Sequence, residues 1–135
     1  MKKELVEYFE KSIESITYNA LKLTIVKNNE YSFEAILEAN NCDIKIEEST
    51  KQIILSISKK GNDWISMYWI SKYLNIPYAI IPIYKIKGNY DRLLTKQIDY
   101  CCNFIKNNIA ILDDFFNKNV DKTIQMIRKN AKQNV

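Results

Sequence analysis

Between residues 20 and 58, apolar and polar residues alternate with a period of two through four short runs separated by three polar turns. In Ala20–Lys27, Leu21, Leu23 and Ile25 alternate with Lys22 and Thr24. In Tyr31–Ala39, Tyr31, Phe33, Ala35 and Leu37 alternate with Ser32, Glu34 and Glu38. In Cys42–Glu48, Ile44 and Ile46 alternate with Asp43, Lys45 and Glu47, and in Gln52–Ser58 the inner side is marked by Ile53, Leu55 and Ile57. Successive side chains of a strand point to opposite faces, so this spacing predicts four strands with one apolar face each. Asn28-Asn29, Asn40-Asn41 and Ser49-Thr50-Lys51 are short connections, which make consecutive strands antiparallel neighbours in a meander. Asparagine suits turn positions with φ > 0, and the two Asn pairs are expected to turn the chain in that way.

A sheet of this kind has one face to cover and one that stays wet. Leu23, Phe33, Leu37, Ile44, Ile46 and Leu55 belong inside. Lys22, Thr24, Glu34, Glu38, Asp43, Lys45 and Glu47 belong outside, which makes the outer face of the central hairpin locally acidic. The cover comes from helices. Residues 3–16 carry Leu5, Val6, Phe9, Ile13 and Ile16 at helical spacing, and Asp91–Asn117 carries Leu94, Ile98, Cys101, Ile105, Ile109, Leu112 and Phe116 along one stripe. A weaker terminal helix is predicted over 119–131, anchored by Val120, Ile124 and Ile127, with a disordered tail after it. Between sheet and long helix, Lys59–Asp63 reads as a loop, with Asp63 as N-cap of a helix running to about Leu74 and stopped at Asn75-Ile76-Pro77. Tyr78–Ile86 reads as an apolar strand that Pro82 confines to an edge or a bulge, followed by a turn at Lys87-Gly88-Asn89. The chain of 135 residues is expected to be a single α+β domain, an antiparallel meander with helices on one face.

Composition excludes several chemistries. There is no histidine, so a serine or cysteine nucleophile has no imidazole base, and Ser56-Ile57-Ser58-Lys59-Lys60 is a strand end entering a basic loop. The cysteines are Cys42 and the adjacent pair Cys101 and Cys102, which do not supply the four ligands of a zinc site and are read as buried thiols of a reduced, cytoplasmic protein. The two glycines, Gly61 and Gly88, are far apart and cannot build a phosphate loop. Asp113-Asp114 lies in the last turns of the long helix, where a solvated face is expected. No catalytic residue, metal site or cofactor is expected. No run of residues is apolar enough to span a membrane, and the start of the chain carries acids where a signal peptide needs an apolar stretch. The net charge of +4 arises in the second half, where Lys96, Lys106, Lys118, Lys122, Arg128, Lys129 and Lys132 are spread along two helical patterns. They read as solvated helix faces rather than a nucleic-acid stripe.

The segment from Trp64 to Leu74 is the most distinctive. Trp64, Tyr68 and Trp69 sweep, with Ile65 and Tyr73, about half of a helix, while Met67, Ile70 and Leu74 take much of the rest. Such a helix is either a core element or part of a binding surface rich in Trp and Tyr. Together with the carboxylates held on a stiff sheet face, Glu34, Glu38, Asp43 and Glu47, it marks the candidate partner-binding surface.

The order helix, meander, aromatic helix, strand, turn, long helix, carried by Ile53–Ser58, by Gly61-Asn62-Asp63-Trp64-Ile65 and by Leu94–Phe116, resembles the small α+β immunity proteins that bacteria encode beside polymorphic or contact-dependent toxins. The resemblance implies a cytoplasmic inhibitor that binds a cognate toxin and covers or distorts its active site. The basic pI of about 8.8 departs from the acidic character of nuclease inhibitors, so a nuclease target would require the acidic hairpin face as the contact. The layout is also similar to type III secretion chaperones, which hold extended effector segments, although the four strands before the middle helix depart from that pattern. A small enzyme of another kind is the third alternative.

Overall fold

The alternating runs pair in sequence order. A computed structural model describes residues 1–19, 21–29, 32–49, 52–60, 63–79 and 90–133. Helix α1 spans Lys3–Glu14. It is followed by strands β1 (Lys22–Asn28), β2 (Ser32–Glu38), β3 (Asp43–Ser49) and β4 (Gln52–Ser58), and by a two-residue strand β5 (Ile65–Ser66). Helices α2 (Met67–Tyr73), α3 (Tyr90–Phe116) and α4 (Asp121–Gln133) complete the described residues. All strand pairs are antiparallel, in the order β1-β2-β3-β4-β5.

The register puts the apolar set on one side. Phe33, Ala35 and Leu37 of β2, Ile44 and Ile46 of β3, and Ile53, Leu55 and Ile57 of β4 are buried. Phe9 of α1 meets Phe33 edge to face with ring centroids 5.6 Å apart, and α3 packs against both α1 and β4. The whole stripe of α3 from Leu94 to Phe116 is buried, so this helix of 27 residues, roughly 40 Å long, is the spine of the core. Leu23 is only half-buried, because β1 is the outermost strand and the helical layer covers it least. Val120 and Ile127 of the terminal segment are buried as well.

The free part of β4 beyond β5 is closed in part by a side chain. Ile53 N–H donates to Gln97 Oε1 of α3 at 2.9 Å. An amide satisfied in this way is not offered to another strand.

Several details differ from the sequence reading. The helix expected directly after Asp63 starts later: Ile65 and Ser66 pair with Ile57 and Ser56, and Ser66, not Asp63, is the N-cap, its Oγ accepting from Tyr68 N–H at 3.3 Å. The apolar Ile65 gains more by extending the sheet's buried face than by opening a helix. The stop at Asn75 holds. Asn75 takes φ 57°, Ile76 N–H donates to Ser71 O at 2.8 Å and Asn75 N–H to Lys72 O at 3.3 Å, the Schellman pattern. The Asn40-Asn41 turn does not use positive φ; among the described non-glycine residues only Lys60 and Asn75 do. Of the strand expected over Tyr78–Ile86, Tyr78 and Ala79 are not in a strand, and the rest, with Pro82 and the turn at Gly88, lies outside the described residues.

Candidate functional site

The outer face of the sheet carries the alternate residues of each strand, and no described helix buries them. Ser32, Glu34, Ile36 and Glu38 of β2, Lys45 and Glu47 of β3, and Gln52, Ile54 and Ser56 of β4 are half-exposed, while the described residues between them on each strand are buried. Cross-strand register lines them up. Lys27 pairs with Glu34 and Glu34 with Glu47; Lys22 pairs with Glu38 and Glu38 with Asp43; Thr24 pairs with Ile36 and Ile36 with Lys45. The first two rows thus each hold two carboxylates directly opposite one another, an arrangement that costs stability, with a lysine of β1 on the far side of the glutamate.

Cations reach only part of this set. Lys45 Nζ lies 3.4 Å from Glu47 and 4.9 Å from the centroid of the Trp64 ring, so this lysine is shared between a carboxylate and an aromatic face. Lys60 Nζ lies 3.5 Å from Asp43 Oδ1 and donates to Ala39 O. Among the described residues no Lys or Arg nitrogen comes within 4 Å of Glu34 or Glu38. These two form no ion pair among the described residues, although Lys27 and Lys22 stand opposite them on β1.

Asp43 departs from the sequence expectation of a solvated outer residue. It is 7% exposed, covered by Lys60 as that side chain folds over the hairpin end, and among the described residues its Oδ1 has no hydrogen-bond partner. Trp64 is half-buried on the outer side of the short strand, next to Lys45. It also lines a cleft of about 670 Å³ with Ser58, Lys59 and Arg128. Arg128 of α4 donates to Asp63 O at 3.1 Å. On α2, Met67, Ile70 and Ser71 are buried. Tyr68 and Tyr73 are exposed, and Trp69 is half-buried, in a T-shaped contact of 5.0 Å with Tyr68 and with Lys72 Nζ 5.4 Å from its ring. The aromatic segment is therefore both things at once, a core element on one side and an exposed aromatic rim on the other. Glu34, Glu38, Glu47 and Trp64 share the outer face, while Tyr68 and Trp69 sit beyond the short edge strand on the neighbouring helix.

A second polar cluster was not visible as such in the sequence. Asp113, expected on a solvated helix face, is 1% exposed. Its Oδ1 accepts from Asn41 N–H at 2.7 Å and Cys42 N–H at 3.1 Å, and its Oδ2 from the Tyr18 hydroxyl at 2.7 Å. Burial opposes ionisation of this carboxyl, but the hydrogen bonds from Tyr18, Asn41 and Cys42 outweigh it and hold its pKa below the usual carboxylate value. The same contact, with burial, raises the Tyr18 hydroxyl to about 12. Asp114 is exposed. Glu48 is another buried acid: it falls on the inner face at the end of β3 and accepts a hydrogen bond from the Tyr90 hydroxyl, whose pKa burial and this contact both raise. A signal for both existed. Asp113 falls four residues after Ile109, beside Leu112 on the apolar stripe, and Glu48 continues the period of Ile44 and Ile46.

Chemically these clusters are braces. Cys42, Cys101 and Cys102 are free and buried; burial raises all three thiols, Cys101 and Cys102 to about 12, so none is a thiolate near neutral pH. Among the described residues no group of three His, Cys, Asp or Glu side chains is arranged to hold a metal ion. No described helix is long and apolar enough to cross a membrane. The seven basic residues singled out on the second half of the chain lie on α3, α4 and the link between them. Arg128 is half-buried and the others are exposed. Fold and site together define a small α+β domain with one charged sheet face that no described helix covers. Comparison with known protein families, with curated proteins and with solved structures finds no match.

Proposed function

We propose that this chain acts by binding another protein through the outer face of its sheet, and that it works as a non-enzymatic neutraliser of a cognate toxin in a bacterial cytoplasm. The observation that carries the reading is the pairing of Glu34 with Glu47 and of Glu38 with Asp43 on a face that no described helix covers, with Glu34 and Glu38 in no ion pair among the described residues. Like charges set opposite each other cost folding energy, and a basic partner surface would recover it on binding. The strands fix the carboxylates before the partner arrives, so little side-chain freedom is lost in the encounter. Trp64, held at the margin of the same face by Lys45, supplies an aromatic anchor of the type that dominates interface energetics. Tyr68 and Trp69 extend that rim. Asp43, already covered by Lys60, contributes its charge more than its contact area.

The experiment is co-expression with the product of the adjacent gene. The reading expects that product to arrest growth alone and growth to be restored by this chain, with protection lost in a folded Glu34→Lys/Glu38→Lys double variant. A harmless neighbour, or full protection by the double variant, would count against it.

A further inference from the structure

The helical layer is narrower than the sheet beneath it, and the shortfall falls at β1. This strand pairs only with β2, so among the described residues its other edge has no strand partner. Its inward residues are poorly covered: Leu23 is half-buried and Ile25 is 36% exposed. Val26, the extra residue of a bulge between Ile25 and Lys27, is 55% exposed. Between α1 and this edge runs a groove of about 750 Å³, its floor formed by Ile13, Ile16, Leu21, Leu23 and Ile25. Glu10 and Glu14 of α1 stand on its rim, with Lys22 on the β1 side, and among the described residues no Lys or Arg nitrogen lies within 4 Å of either carboxylate. The β4 side of the same sheet is covered by Gln97 and β5. On the β1 side the amino group of Met1 ties down Asn28 and Asn29 at the far end, and among the described residues no hydrogen bond closes the edge at Lys22–Ile25.

We propose that this edge and groove bind an extended segment of a partner protein, which adds to β1 as a further strand. Main-chain hydrogen bonds to Lys22–Ile25, the regular stretch before the bulge, supply the attachment. Apolar side chains at alternate positions enter the groove, and lysine or arginine of the segment meets Glu10 and Glu14. A second copy of this chain fits less well. Two β1 edges paired about a two-fold axis would bring Glu10 and Glu14 of one copy towards the same acids of the other, and like charges across an interface disfavour it. The surface is separate from the outer sheet face and does not depend on it.

Strand addition is driven by the main chain, so a generic probe reports on it. The probe is a fluorescent peptide of about nine residues alternating valine with threonine and lysine, titrated into the full chain and followed by anisotropy. A matched peptide N-methylated at alternate residues is the control. The proposal expects saturable binding that weakens by about tenfold or more with the N-methylated peptide, in Glu10→Lys/Glu14→Lys and in Ile25→Lys, each checked for folding by circular dichroism. Glu34→Lys/Glu38→Lys should bind the probe as the native chain does, which separates this surface from the outer face. Absence of saturable binding, or binding indifferent to N-methylation, overturns the proposal. So does a concentration-dependent dimer of the native chain that Ile25→Lys abolishes, since the edge would then serve a second copy.

Discussion

Asn41 and Asp113 lie 72 residues apart in the chain, and the Asn41 N–H donates to the Asp113 carboxylate at 2.7 Å. This contact ties the hairpin between β2 and β3 to the C-terminal turns of α3, and it lets the Asn40-Asn41 turn form without a left-handed asparagine. The carboxylate takes up amide groups that turn geometry alone would leave unsatisfied in a buried place.

Removing that carboxylate should be expensive. Asp113→Ala leaves two backbone donors and the Tyr18 hydroxyl without their acceptor, and a loss of roughly 3 kcal/mol is expected. Urea unfolding of the two proteins at neutral pH measures it. Asp114→Ala, one position on and exposed, should change stability by less than about 0.5 kcal/mol.

The pH dependence follows from the same cluster. The folded pKa of Asp113 is depressed below 3.8, so its contribution is present above that value and is lost as pH falls through the folded pKa. Tyr18 is raised from 10.0 to about 12, so its contribution is complete below pH 10.0 and is lost as pH rises towards 12. Stability measured across pH should therefore fall at both ends. Asp113→Asn should flatten the acid limb, and Tyr18→Phe the alkaline one.

The sheet and its cover were legible because period-two alternation and a continuous helical stripe are long, redundant signals. Five of the six residues expected inside the sheet are fully buried, and Leu23 falls short for the positional reason that β1 is outermost. Asp113 and Glu48 fall on the apolar periods of their elements, but that spacing alone did not mark them as buried acids, and Asp43 falls on the outward period. Each is charged, and burial of a charge depends on partners brought from far along the chain: Tyr18 and Asn41, Tyr90, and Lys60. The short strand β5 was hidden because two residues carry no periodicity. The candidate face was legible as a set of outward carboxylates, but which of them form an ion pair depends on where Lys45 and Lys60 reach.

Phe33 tests the interior of the sheet. Its ring is 2% exposed and stacked edge to face on Phe9, so Phe33→Ala should cost about 3–5 kcal/mol, read from chemical denaturation.

The thiols test how tightly the core is closed. With Cys42, Cys101 and Cys102 buried and protonated, a disulfide reagent at about pH 8 should label the native chain at least about a thousandfold more slowly than the urea-unfolded chain. Fast labelling of the native protein would show that the long helix opens readily from the sheet.

The most direct test of the account is the affinity of Glu34→Lys/Glu38→Lys for the cognate partner, measured at low and at moderate salt against the native chain. Folding should be retained, with stability within about 0.5 kcal/mol, because each new lysine meets an acid on β3 (Glu47 or Asp43) and a lysine on β1 (Lys27 or Lys22), and the two effects oppose each other. The account predicts that binding weakens by about tenfold or more and that its salt dependence shrinks. Unchanged affinity together with unchanged salt dependence would contradict it, and the outer face of the sheet would not be the interface.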